Sequence, residues 1–131
     1  MAGLDTNSLV RYLTQDDVLQ SQLASDLIDN AQISSLFIPI TVILKLEWVL
    51  RSRYKFDKYR LIDVIQRLIS IQSLQISHEN ALLNAVWLYR SHSADFADCL
   101  QTALTQDENQ SPRYTFDQNA SKMVDNINYN D

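Results

Sequence analysis

The chain has one cysteine, Cys99, among its 131 residues. A single cysteine excludes an intramolecular disulfide framework and a zinc site built from several thiolates. Long apolar runs are also missing. The longest stretches, such as Leu36 to Ile40, fall far short of the roughly 20 residues that span a bilayer. The N-terminus has no basic segment leading into an apolar run, so no secretion signal is expected. There is no internal repeat and no low-complexity block. Basic charge is not in excess either: the formal net charge is −5, and an acidic protein does not draw RNA by its overall field. These absences point to a soluble, cytoplasmic protein with no membrane association.

What is present is a core-forming composition. Apolar residues make up 46% of the chain, enough for one domain with a real core. The charge is unevenly spread. Residues 1–90 carry nine acids and nine bases, whereas residues 91–131 carry seven acids and two bases. A polyanion would need a local basic patch, or metal ions that mask the acids. Arg51, Arg53, Lys55, Lys58 and Arg60 form such a patch, beside Tyr54, Phe56 and Tyr59. Two readings stand for it: contact with RNA phosphates, or a solvated helix end whose cations complement the dipole.

Along the chain, Ala2-Gly3-Leu4-Asp5 is a short apolar run closed by an acid. Thr6-Asn7-Ser8 is helix-capping chemistry, and Leu9, Val10, Tyr12 and Leu13 follow at helical spacing. Asp16 and Asp17 open a second helix, with Val18, Leu19, Leu23, Ala24 and Leu27 on one face. A buried strand ends at Pro39, and Thr41 caps a third helix running to about Tyr54. Asp57 caps a fourth, whose apolar set is Leu61, Ile62, Val64, Ile65, Leu68 and Ile69. Leu74-Gln75-Ile76 is a brief strand. Further helices run from about His78 to Arg90 and from about Ala94 to Leu104. Gln106 to Pro112 is a polar loop, Arg113-Tyr114-Thr115-Phe116 a strand ending in Asp117, and a short helix comes last. Short apolar strands between helices predict a parallel sheet covered on both faces. Ligand sites of such sheets lie beyond the carboxyl ends of the strands, where Asp5 and Asp117 would project.

The segments Leu4-Asp5-Thr6-Asn7-Ser8-Leu9-Val10-Arg11-Tyr12-Leu13, Ala94-Asp95-Phe96-Ala97-Asp98 and Thr115-Phe116-Asp117 stand out together. So does Ile38-Pro39 leading into Leu46-Glu47-Trp48-Val49-Leu50-Arg51. They resemble the PIN-domain family, and within it the VapC toxins of bacterial toxin–antitoxin pairs, from about Leu4 to Ala120. The resemblance implies a PIN-like three-layer α/β/α domain over residues 1–125, with a polar tail at 126–131. It implies a Mg²⁺- or Mn²⁺-dependent endoribonuclease that cuts a structured RNA such as tRNA or rRNA. A cognate antitoxin would silence it, and a homodimer is its expected assembly. Carried over residue by residue, Asp5, Asp98 and Asp117 are the metal-holding acids, with Asp95 nearby and Asn7 and Thr115 supporting. Hard divalent cations take such oxygen ligands. Asp95 and Asp98 share a helical face, yet Asp95 also suits a helix N-terminus by charge.

One position departs from the pattern. The family's remaining acid lies three residues before the tryptophan, and here that residue is Lys45. Glu47 cannot replace it, because two residues along a helix turn a side chain by about 200°. A protonated lysine has three donors and no acceptor, so it cannot ligate a cation. Near Asp5, Asp98 and Asp117 it would pair with them and lower their pKa values; alternatively it snorkels to solvent. The change could be natural decay or an engineered or selected variant. The expectation is a weakened or inactive enzyme. The alternatives are a catalytically dead PIN domain that binds protein or RNA, and an unrelated small α/β binding domain. Trp48, Trp87, Tyr89 and Phe96 are expected in the core or at a dimer contact. His78 is expected at a helix start, and neither it nor His92 has a motif that would make it a ligand. Cys99 is expected to be small and buried.

Overall fold

A computed structural model describes residues 2–131. The chain divides into two compact units, Met1–Ser77 and His78–Asp131. In the first, the order is β1 (Ala2–Gly3), α1 (Thr6–Thr14), α2 (Val18–Asn30), β2 (Leu36–Ile38), α3 (Ile40–Ser52), α4 (Lys58–Ser70) and β3 (Leu74–Ile76). The three strands form one parallel sheet in the order β1-β2-β3, with Ala2 opposite Leu36 and Leu36 opposite Leu74. In the second unit, α5 (Glu79–Ser91) and α6 (Phe96–Asp107) pack on each other, followed by β4 (Arg113–Thr115), α7 (Gln118–Ser121) and β5 (Asn126–Asn128). β4 and β5 pair in parallel, Thr115 opposite Asn128. The described residues are therefore mixed α/β, with seven helices and short parallel strands, as expected and consistent with a PIN-like α/β/α domain.

Aspartate starts most of the helices. Asp5, Asp17, Asp57, Asp95 and Asp117 are the N-caps of α1, α2, α4, α6 and α7, each accepting a hydrogen bond from the backbone N–H three residues on. An extended cap residue with a short acceptor satisfies one orphan donor of the first turn. This corrects two expectations. The cap of α1 is Asp5, one residue before the Thr6-Asn7-Ser8 run. α3 is entered from Pro39, not capped by Thr41, and its first amide, Ile40 N–H, donates to Ser77 Oγ at 2.7 Å.

The core follows the apolar spacing in α4, where Leu61, Ile62, Ile65 and Leu68 are buried. In α2 it does not. Val18, Leu19, Leu23 and Leu27, grouped on one face by the sequence, are exposed, while Ser21 and Ile28 are buried. Periodicity reports which residues share a face, but not whether that face meets the core. Two further differences concern the chain's end. α6 runs on to Asp107, so the polar loop is shorter than expected. Residues 126–131, read as a polar tail, carry β5, in which Asn128 is buried. Its polar sequence hid the strand because pairing with β4 satisfies its backbone.

Candidate functional site

In the first unit, Asp5 follows β1 and caps α1. Ser8 supplies both its backbone N–H (2.9 Å) and its hydroxyl (2.8 Å) to Asp5 Oδ1. Those two hydrogen bonds hold the Asp5 carboxyl below its ordinary pKa; burial opposes them, and the nearby Lys45 charge adds a smaller lowering. Asp5, Thr6, Asn7, Thr41, Val42 and Lys45 line a cavity of about 330 Å³. A second cavity of similar volume, about 330 Å³, also reaches Asp5 and Asn7, and is otherwise walled by Ser8, Arg11, Gln20, Leu23, Ala24 and Leu27. Lys45 thus shares a cavity with Asp5 as expected. It is exposed, however, and makes no ion pair within 4.0 Å among the described residues. The expected direct pairing with an aspartate of this unit is replaced by a longer-range attraction.

Glu47 lies on the other side of α3. It is 3% exposed and pairs with Arg51, whose Nε donates to Glu47 Oε2 at 2.8 Å. Glu47 does not line the cavity that Asp5 and Lys45 share, which is what the 200° turn between positions 45 and 47 requires. The rest of the basic run is largely engaged with its neighbours. Lys55 Nζ donates to Ser52 O at 2.8 Å, the Arg53 guanidinium lies 5.9 Å from the Trp48 ring centroid, and that of Arg60 lies 3.8 Å from the Phe56 ring centroid. Arg51 and Arg53 stand at the last turn and cap of α3, where cations complement the helix dipole.

In the second unit, Asp95 caps α6 and accepts from Asp98 N–H at 2.8 Å. Asp98 is in the first turn, and its Oδ1 accepts from Arg113 Nη2 at 2.8 Å. Burial raises the Asp98 pKa most; Arg113 lowers it, and the charges of Asp95 and Asp117 raise it again. The three carboxylates are therefore close enough to feel one another. Asp117 is held at the end of β4 from two sides: its N–H donates to Thr115 Oγ1 at 3.0 Å, and its Oδ1 accepts from Ala120 N–H at 2.8 Å. Thr115, buried, thus fixes the direction in which Asp117 leaves the strand. Arg113 is the residue that motif reading missed; its place on the strand before Thr115-Phe116-Asp117 is the signal that could have found it.

Asp95, Asp98 and Asp117 do not bring their ligand atoms within 4.8 Å of one another. The group that does so among the described residues is His78, Asp107 and Glu108, all exposed. His78 is indeed at a helix start, as the N-cap of α5, in left-handed backbone with φ 55°. Its approach to the far end of α6 had no signal in the sequence. Tyr89 and Phe96 are core residues in an edge-to-face pair, centroids 5.5 Å apart at 72°. Trp48 and Trp87 are exposed. Cys99 is buried. No helix among the described residues is long and apolar enough to cross a membrane.

No protein-family model matches the chain. A VapC ribonuclease of Aquifex aeolicus (strain VF5) is similar to it, 23% identical over 103 residues, which cover 78% of this chain and 76% of that protein. The chain is similar to a VapC ribonuclease. That likeness agrees with the family resemblance read from the motifs.

Proposed function

We propose that this chain is a PIN-domain endoribonuclease of the VapC toxin type, weakened by Lys45. The single observation that supports this most is the similarity to a VapC ribonuclease over 78% of the chain. In this reading both units belong to one domain, and Asp5, Asp98 and Asp117, with Asp95, hold Mg²⁺ or Mn²⁺. The donor set suits such an ion. Asp95, Asp98 and Asp117 offer only hard oxygens, and their mutual repulsion at Asp98 is the electrostatic condition a divalent cation relieves. When bound, the ion screens phosphate charge and activates water for phosphodiester hydrolysis.

The residues of this chain then have distinct tasks. Thr115 and the Ala120 N–H orient Asp117, and Ser8 orients Asp5. Arg113 occupies one oxygen of Asp98, so ligation uses the other oxygen or displaces the guanidinium. Lys45 sets a positive charge where a ligand is expected. A homodimer, a cognate antitoxin and a structured RNA substrate complete the reading. A second reading, a PIN domain that binds without cutting, is favoured by Lys45 on the Asp5 cavity and by the Asp98–Arg113 pair.

Lys45→Glu separates the two. Its Mn²⁺ affinity by calorimetry should exceed that of the unaltered chain by at least about tenfold, roughly 1.4 kcal/mol, because an oxygen ligand is gained and a repulsive charge lost. Cleavage of total RNA should rise at least as much. Equal cleavage by both proteins would show that the aspartates suffice. No cleavage and no gain in metal binding by Lys45→Glu would remove the site assignment.

A further inference from the structure

Beside Asp117 lies a surface that neither the motif nor the metal site uses. Tyr114 and Phe116 alternate along the β4 segment with Arg113 and Thr115, so they share the opposite face. Tyr129, just past β5, donates its backbone N–H to Thr115 O at 3.0 Å and brings its ring onto that face. The Phe116 and Tyr129 rings are stacked, centroids 4.2 Å apart at 20°, and Tyr114 lies 5.6 Å from Tyr129 at 36°. All three are well exposed: Tyr114 56%, Phe116 68% and Tyr129 58%.

We propose that Tyr114, Phe116 and Tyr129 form a stacking platform for an unpaired base of an RNA strand, adjacent to the phosphate handled at Asp117. The proposal rests on the nuclease reading and adds to it the residues that position the substrate. Three observations carry it. Aromatic rings grouped in water offer flat π faces, and every base has a matching face. The core pair Tyr89–Phe96 meets edge to face and is buried, whereas here Phe116 stacks on Tyr129, Tyr114 is tilted against it, and all three rings remain more than half exposed. The platform is also fixed to the catalytic candidate. Phe116 precedes Asp117, and Thr115 binds both the Asp117 and the Tyr129 backbone amides.

The charge of the region selects the mode of contact. Residues 91–131 carry seven acids against two bases, so without a metal ion to mask the acids this surface offers phosphate no attraction, and what the rings themselves can hold is the neutral face of a base. A base within a duplex already has both faces covered, so the ligand is a single-stranded segment.

A short single-stranded oligoribonucleotide carrying 2-aminopurine tests this, in EDTA so that binding is read without cutting. Stacking quenches the probe. Expected are saturable quenching, absent for the same sequence in a duplex, and a shallow salt dependence, less steep than one phosphate contact gives (about 0.7 in a log–log plot). Phe116→Leu and Tyr129→Leu keep bulk but lose the π face, and each should weaken binding by about five- to 150-fold. Phe116→Trp should retain it. Equal binding by the Leu variants overturns the proposal, as does equal quenching of the duplex or no quenching at all. A change of molar mass in the Leu variants with unchanged quenching also overturns it, making the face a contact between copies. If the probe is quenched but neither the given chain nor Lys45→Glu cuts RNA, the platform stands and the nuclease reading falls. If RNA is cut with the same KM by the Leu variants, the nuclease reading stands and the platform falls.

Discussion

The two units handle the same chemical unit, an aspartate placed just after a parallel strand or at a helix start, in different ways. In Met1–Ser77, Asp5 is pulled down in pKa by Ser8, and its cation, Lys45, stays exposed across a cavity without an ion pair among the described residues. In His78–Asp131, Asp98 is desolvated, pushed up in pKa, crowded by Asp95 and Asp117, and tied directly to Arg113, the pair's side chains being 20% and 16% exposed. Acid and base balance in residues 1–90, but acids dominate in 91–131. A carboxylate's charge state is thus set by its neighbours. Hydrogen bonds from Ser8 stabilise Asp5 as an anion, whereas burial first, and then the charges of Asp95 and Asp117, disfavour the Asp98 anion even with Arg113 attached.

The largest expected effect concerns what holds the acidic unit together. Phe96 is 1% exposed and packs edge to face on Tyr89. Phe96→Ala should cost about 3–5 kcal/mol, read as a fall in the denaturation midpoint. A loss below about 1 kcal/mol, as for a surface site, would mean that the α5–α6 packing does not anchor Asp98.

Capping and ligation can be told apart by removing charge while keeping shape. Asparagine caps a helix about as well as aspartate but carries no charge. Asp5→Asn, Asp98→Asn and Asp117→Asn should each lower Mn²⁺ affinity at least roughly tenfold. Asp17→Asn and Asp57→Asn, which alter caps with the same geometry, should leave it unchanged. Uniform behaviour across all five in calorimetry would leave Asp5 and Asp117 as caps and Asp98 as the partner of Arg113, with no metal site.

Arg113→Gln approaches the contrast between Asp5 and Asp98 from the other side. It removes the influences that lower the Asp98 pKa and leaves burial, Asp95 and Asp117, which raise it. The Asp98 carboxyl should titrate at still higher pH by carbon NMR. A downward shift would mean that the guanidinium is not its main counter-charge.

The smallest effect lies in the first unit. Asp16 is held at about 2, first by the Tyr54 hydroxyl at 2.6 Å, then by Thr14 and Arg11. A depressed carboxyl adds stability that is fully present above its ordinary pKa and is lost as pH falls towards the folded value. The contribution of Asp16 should therefore fade from the ordinary value of 3.8 down to about 2. Tyr54→Phe should narrow that window by raising the folded pKa, seen as a smaller loss of midpoint across it. An unchanged Asp16 titration would count against the Tyr54 bond.

Much of the fold was legible because its signals are local. The α4 apolar spacing, the Asp57 cap, the Leu74–Ile76 strand and the strand before Asp117 all depend on residues within one or two turns. α2 was misread in its burial because its Leu face is periodic whether or not anything covers it. Asn126–Asn128 was missed because a strand with polar side chains is recognised only by its partner. Asp5 and Asp117 were placed correctly at the ends of their strands. The motif could not reveal that capping already uses one oxygen of each, nor that Arg113 sits on Asp98.

Residue type and short-range spacing were enough to establish the mixed α/β class, the aspartates at strand ends and helix starts, and the lysine at position 45. Tertiary structure decided the rest. Which oxygen remains for a ligand, which cation stands beside which acid, and which aromatic rings meet in water depend on segments far apart in the chain. Their approach is set by strand pairing and helix packing, which local patterns do not encode.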